Sequence, residues 1–274
     1  MEWRGQRQSG NIEDRRGRGG AGAGIGGIGA LAVVLIGWYF GVDLTPLLNG
    51  GNPVAIRPAD PAAAEFVSVT LADTEEAWAR IFQEQVGRPY EPAVLVLYFG
   101  VTQSPCGDAS GATGPFYCPG DRKVYLDTDF FQTLSQDLGA KGDFAMAYVI
   151  AHEIGHHVQD ELGILGKANR LRQQVSEAES NAISVRIELQ ADCLAGIWGR
   201  QAAAQFGTIQ PGDFQEAVDA AKRIGDDTLQ RSAGQVPMPD SFTHGTSAQR
   251  SRWFQTGLKS GQIRACDTFS VKNP

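Results

Sequence analysis

Three of the four histidines lie within six positions, in the stretch AYVIAHEIGHHVQDELG at 147–163. His152, Glu153 and His156 match the pattern H-E-x-x-H, which on a helix places both imidazoles on one face beside the carboxylate. Such a group can hold a zinc ion that activates water for hydrolysis. His157 is rotated by about 100° and is predicted to face away. The alternative is a helix with solvent-facing histidines, but the surrounding apolar residues predict a buried helix, where unpaired imidazoles are costly.

A zinc ion bound by two histidines needs a third protein ligand and an open position for water. No histidine lies between His157 and His244, so the third ligand is acidic or is His244 itself. The best candidate is Glu188, in RIELQADCLAG, with Asp192 four residues later on the same face of a predicted helix. One carboxylate can bind the metal while the other accepts the outer N–H of a ligating histidine.

The elements that position these residues are predicted to be mostly helices, with short strands before the histidines. An apolar run at 93–100 and KVYLD at 123–127 predict strands. Caps and apolar periodicity predict helices over 73–87, 143–162, about 167–205, 211–224 and 246–258. The predicted fold class is therefore α+β and predominantly helical, with one folded domain over 66–274.

The N-terminal part has a different composition. Five arginines lie within residues 1–18, and 24 uncharged residues follow at 19–42. A helix needs roughly 20 apolar residues to span a membrane, so this run predicts a single transmembrane helix. Because arginines favour the cytoplasmic side, residues 1–18 are predicted to be cytoplasmic, 43–65 a linker, and the domain extracytoplasmic at a bacterial cell membrane. A cleaved signal peptide and a reversed topology are the alternatives.

The four cysteines are an even number in a region predicted to be extracytoplasmic, which favours disulfides. Cys106 and Cys118 flank a loop rich in Gly, Ser and Pro, so we pair them and leave Cys193 with Cys266, although the sequence alone allows three pairings. The 274 residues are 42% hydrophobic, enough for a substantial core, and the net charge is −7. Beyond the N-terminus the chain has no basic block, which argues against nucleic-acid binding.

Several segments carry a family resemblance. HEIGHHVQ, ELQADCLAG and SFTHGTSAQRSRWFQTG, with the opening MEWRGQRQSGNIEDRRG, resemble the bacterial neutral zinc metallopeptidases of the YpfJ type over essentially the whole chain. The order HExxH, ExxxD and a histidine before a helix is more distantly similar to the gluzincin metallopeptidases.

This resemblance implies a zincin-like domain that binds Zn²⁺ and hydrolyses protein or peptide substrates. It also implies six site residues: His152, His156 and Glu188 as zinc ligands, Glu153 as the general base, Asp192 as the partner of a ligating histidine, and His244 as a donor to the oxyanion. The alternative function is a catalytically silent zinc-containing domain that binds peptides or envelope proteins. Glu153 favours the enzyme, because a structural zinc site does not require it.

Overall fold

The computed structural model describes residues 1–16, 60–110, 114–210 and 212–274. The strands are β1 Ile12–Asp14, β2 Val94–Tyr98, β3 Val101–Ser104, β4 Gly107–Ser110, β5 Phe116–Cys118 and β6 Lys123–Asp127. The helices are α1 Pro61–Ile81, α2 Phe130–Gln132, α3 Asp143–Glu161, α4 Ile164–Arg172, α5 Glu177–Gln205, α6 Asp213–Arg223, α7 Asp226–Ser232 and α8 Ser247–Ser260. The described chain is therefore predominantly helical with a small sheet, as predicted.

The main sheet has the strand order β1-β2-β6-β5. Strands β1, β2 and β6 run parallel, and β5 pairs antiparallel with β6. The central strands VLVLY and KVYLD are nearly continuous apolar runs because both faces of this part of the sheet are covered; four of the five residues in each are buried. Strands β3 and β4 form a separate hairpin.

Helix α3 lies at the centre of the helical layer and packs against α1, α5 and α6. It is buried from Ala147 to Gln159 without interruption, so the H-E-x-x-H residues lie inside the protein, as their apolar neighbours predicted. Helix α5 begins with a capping box in which Ser176 and Glu179 each bind the other's backbone N–H. These hydrogen bonds satisfy two donors that a helix start leaves without a partner. The cap fixes the start of the helix that carries Glu188.

Helices α5 and α8 cross at two glycines. A Cβ atom at Gly257 would overlap the backbone carbonyl of Cys193, and one at Gly196 would overlap that of Phe254. Only glycine permits this approach of two backbones. The crossing brings α8, which follows His244 directly, against the helix that carries Glu188.

Both predicted disulfides are present. Cys106 pairs with Cys118 at a Cα–Cα distance of 5.8 Å, and Cys193 pairs with Cys266 at 5.6 Å. The first bond joins the β3–β4 hairpin to β5. The second bond fastens the C-terminal segment to the middle of α5.

The predicted fold class is wrong in its membrane helix. No helix within the four described ranges is long and apolar enough to cross a membrane. The predicted span itself, 19–42, lies outside the described residues, as does the predicted linker up to residue 59. Residues 61–65 of that linker form the first turn of α1, with Asp60 as its cap.

Residues 1–16 belong to the same body as the rest of the domain. Strand β1 pairs with β2, Trp3 is 5% exposed, and its Nε1 donates to Asp143 at 2.9 Å. The guanidinium of Arg16 donates to the backbone carbonyl of Asp60 at 3.0 Å. Two of the described arginines of this segment, Arg15 and Arg16, form ion pairs with Glu13 and Asp14.

Candidate metal centre

Helices α3 and α5 bring the three predicted zinc ligands together. His152 Nε2 lies 3.0 Å from Glu188 Oε2, and His156 Nε2 lies 3.5 Å from Glu188 Oε1. One potential ligand atom from each residue lies within 4.8 Å of the others. Two imidazole nitrogens and a carboxylate oxygen are a donor set that zinc accepts, with a fourth position left for water. The residues therefore fit a zinc ion.

Asp192 contacts the outer nitrogen of His152, on the side away from Glu188. Its Oδ1 lies 2.8 Å from His152 Nδ1 and also accepts a hydrogen bond from the Tyr148 hydroxyl. Arg250 donates to both carboxylate oxygens, at 2.9 and 3.0 Å. Asp192 is completely buried and Arg250 is 2% exposed. The carboxylate fixes the imidazole so that Nε2 points towards Glu188.

The carboxylates make this site strongly favourable for positive charge. Burial disfavours the charged form of His152, but the charge and hydrogen bond of Asp192 outweigh it and raise the pKa of His152 to about 10. Burial likewise opposes ionisation of Glu188, yet the neighbouring His156 and His152 hold its pKa well below its usual value. A metal ion competes with protons for these imidazole nitrogens and can supply the positive charge in their place.

Glu153 lies beside the three ligands and is 7% exposed. Within the part of the chain that the structure describes, its side chain makes no hydrogen bond, whereas the other predicted residues of this buried group all do. Its negative charge contributes to raising the pKa of His156. A carboxylate without a fixed donor is free to accept a proton from water.

His244 lies in the loop before α8, with its side chain half exposed. Asp226 organises this loop: its Oδ2 accepts backbone hydrogen bonds from Thr243, His244 and Gly245 at 2.7–2.9 Å. Its Oδ1 lies 3.2 Å from His244 Nδ1. Burial lowers the pKa of His244, but the Asp226 hydrogen bond and the charge of Glu188 outweigh it and raise that pKa. Glu188 of the metal centre thus contributes to the raised pKa of His244.

Comparison with known proteins agrees with this geometry. Residues 1–269 match the model of a family described as "Putative neutral zinc metallopeptidase". The chain belongs to this family. Zinc is the family's cofactor, and the predicted family resemblance is confirmed. The His152, His156 and Glu188 group supplies a place where zinc can bind in this member.

Two relatives illustrate how far the similarity extends. The chain is 48% identical over 286 aligned positions to the "Uncharacterized protein YpfJ" of Escherichia coli strain K12, covering 98% of this chain and 99% of the relative. It is 43% identical over 185 positions to the "Uncharacterized protein Rv2575" of Mycobacterium tuberculosis strain H37Rv, covering 64% of this chain and 61% of the relative. No solved structure matches.

His157 faces away from the metal centre, as predicted, and its imidazole contacts other parts of the fold. It is 1% exposed, its Nε2 lies 2.6 Å from the carbonyl of Glu91, and its Nδ1 lies 3.3 Å from the Tyr117 hydroxyl. Burial lowers its pKa. The imidazole therefore joins α3 to the β5 side of the sheet.

Four further residues, which were not predicted from the sequence, hold the predicted ones in place. They are Tyr148, Gln159, Asp226 and Arg250. Two of them carried a local signal, because Tyr148 lies four residues before His152, and Gln159 lies three residues after His156 on the same helix. Asp226 and Arg250 had no such signal, since their partners are distant in the sequence.

Proposed function

We propose that the chain is a zinc-dependent metallopeptidase that hydrolyses peptide bonds in protein or peptide substrates. One observation carries the proposal: ligand atoms of His152, His156 and Glu188 lie within 4.8 Å of one another, while Glu153, next to His152 on α3, makes no hydrogen bond with the described residues. A purely structural zinc site needs the ligands but not the free carboxylate. Membership of a zinc metallopeptidase family supports the same function.

Each residue then has a defined part in the reaction. Zinc, when bound by the three ligands, supplies Lewis acidity and makes a neighbouring water more acidic. Glu153 takes the proton of the attacking water and later gives it to the leaving amine. His244 donates an N–H to the oxygen that becomes negative in the transition state. Asp226 accepts the Nδ1–H of this histidine, so Nε2 can donate an N–H only while the imidazole is doubly protonated and charged.

We propose that the domain works in an oxidising, extracytoplasmic compartment. The support comes from its two disulfides, because such bonds persist in secreted and periplasmic proteins and are rare in reducing compartments. All four cysteines of the chain are used in these bonds.

Removal of the acidic ligand tests the metal site. We expect the wild-type chain to hold one zinc ion, and Glu188→Gln to weaken zinc binding on the order of 100-fold or more, since loss of even an outer partner costs 10- to 100-fold. Competition with a chromophoric chelator measures this affinity. Glu177→Gln, an exposed site on the same helix, is the control and should bind as wild type. An unchanged affinity in Glu188→Gln would exclude this ligand set. Cleavage of a peptide library, stopped by chelator and restored by zinc, tests the activity.

The pH profile tests the role of His244. Asp226 raises the pKa of this histidine, so the charged donor persists to higher pH and is lost as the pH rises through that pKa. In Asp226→Asn the pKa should fall, and the basic limb of kcat/KM should move about one unit to lower pH. The Asn oxygen can still accept the three backbone N–H groups, so the loop should remain folded. A basic limb at the wild-type position would contradict this role.

A further inference from the structure

We propose that Gln159 is a positioning residue that fixes the tautomer of His156 through a relay of two buried glutamines. The relay runs from His156 through Gln159 and Gln190 to the backbone carbonyl of Cys266. This inference rests on the proposed zinc site and concerns how the second histidine is kept ready for the metal.

Four short contacts define the relay. His156 Nδ1 lies 2.9 Å from Gln159 Oε1. Gln159 Nε2 donates to the carbonyl of Ile187 at 2.8 Å and to Gln190 Oε1 at 3.0 Å. Gln190 Nε2 donates to the carbonyl of Cys266 at 2.8 Å. Gln159 is completely buried and Gln190 is 5% exposed, so water does not replace these partners freely.

The backbone carbonyls determine the direction of every hydrogen bond. A carbonyl oxygen only accepts, so Gln190 must direct its NH₂ group to Cys266 and its oxygen to Gln159. Gln159 must direct its NH₂ group to Ile187 and Gln190, which leaves its oxygen facing His156. That oxygen also only accepts, so the imidazole must carry its proton on Nδ1. His156 Nε2 then keeps a lone pair for the metal.

A flipped Gln159 amide would reverse this outcome. Its oxygen would face two other oxygens, and its NH₂ group would face His156 Nδ1, which would then have to accept. The proton of the neutral imidazole would move to Nε2, where it blocks metal binding. The relay makes this arrangement unfavourable, because two buried acceptors would lose their donors.

The neutral amide also suits the charge of the site. His152 is already held by a carboxylate, Asp192, whose charge is balanced by Arg250. The site further contains the carboxylates of Glu153 and Glu188. A second outer carboxylate would need another buried cation. The amide of Gln159 orients His156 without adding charge.

The far end of the relay is held by a disulfide. Cys266 is bonded to Cys193, which lies on α5 three residues after Gln190. The bond keeps the accepting carbonyl beside the glutamine on the same helix. The disulfide therefore supports the metal centre as well as the C-terminal segment.

Zinc binding by the full chain tests the relay. We expect Gln159→Leu to weaken zinc binding 10- to 100-fold and to change the visible absorption of the cobalt-substituted protein, since the coordination of His156 changes. Gln190→Leu keeps the contact between His156 and Gln159, so it should weaken binding less. Gln85→Leu is the matched control: this glutamine binds the backbone of Gly261 and Ile263 in the same C-terminal segment but contacts no ligand.

The outcomes separate this inference from the proposed function. If the wild type binds one zinc and Gln159→Leu binds it within a factor of two, the relay is overturned while the zinc site stands. Equal losses in Gln159→Leu and Gln85→Leu would also overturn it, because general loosening would then suffice. A wild-type chain that binds no zinc would contradict both the relay and the proposed zinc site. Should Gln159→Leu fail to fold, the unbranched Gln159→Met decides in its place: wild-type affinity and cobalt spectrum would overturn the relay.

Discussion

Glu153→Gln is expected to lower kcat for peptide hydrolysis by about 10³-fold and to leave one zinc bound per chain. A positioned general acid–base contributes about 10²- to 10⁴-fold to such a reaction. The amide has nearly the shape of the carboxylate but cannot take a proton from water. Because Glu153 is not one of the three ligand residues that converge, zinc should remain. Peptide cleavage assays and metal analysis on the same preparation measure both quantities.

The same variant separates the metallopeptidase from a silent binding domain. Glu153 is 7% exposed and makes no hydrogen bond within the described residues, so its replacement by an amide removes no such contact. The thermal midpoint should therefore stay close to that of the wild type. If a cleaved substrate is found and Glu153→Gln cleaves it at the wild-type rate, this carboxylate is not the base. If neither form cleaves any peptide although zinc is bound, the silent domain is favoured.

The metal centre was largely predictable because its strongest signals are local. The spacing of His152 to His156 and of Glu188 to Asp192 is the spacing of one helical turn, so each pair shares a face whatever the tertiary fold. The apolar neighbours of the histidines then predicted that their helix is buried. The contact between α3 and α5 has no local signal in the sequence. It was inferred because zinc requires a third protein ligand.

The N-terminal segment was mispredicted for a different reason. Strand β1 has only three residues, Ile12–Asp14, too few for a recognisable alternation. Its pairing with β2 spans more than 80 positions and has no local signature. The arginines and the apolar run at 19–42, by contrast, match a common membrane pattern. Composition therefore predicted a separate N-terminal segment, whereas its strand β1 pairs with β2 in the main sheet.

The role of Arg250 could not be predicted from the sequence for a similar reason, although its positive charge balances the buried carboxylate of Asp192. Its partner Asp192 lies 58 positions earlier and is completely buried. Tyr148 and His152 also bind this carboxylate, but neither brings a permanent positive charge. The charge of Arg250 also lowers the pKa of His152 and so opposes protonation of a zinc ligand. Arg250 therefore affects both the stability of the fold and the protonation of a zinc ligand.

Arg250→Met is therefore expected to lower the free energy of unfolding of the zinc-free protein by about 3 kcal/mol, since breaking a buried pair leaves the other charge uncompensated. The pKa of His152 should rise further, so protons compete better with zinc, and affinity lost at pH 7 should recover as the pH rises. Denaturant unfolding and zinc titration at several pH values measure both effects.

The control variant Arg231→Met removes an exposed pair with Asp227 and should lower the free energy of unfolding by less than about 1 kcal/mol. In the double variant Asp192→Asn/Arg250→Met no buried charge is left alone, so part of the stability should return; a loss equal to the sum of the single losses would show that the two residues do not act as a pair.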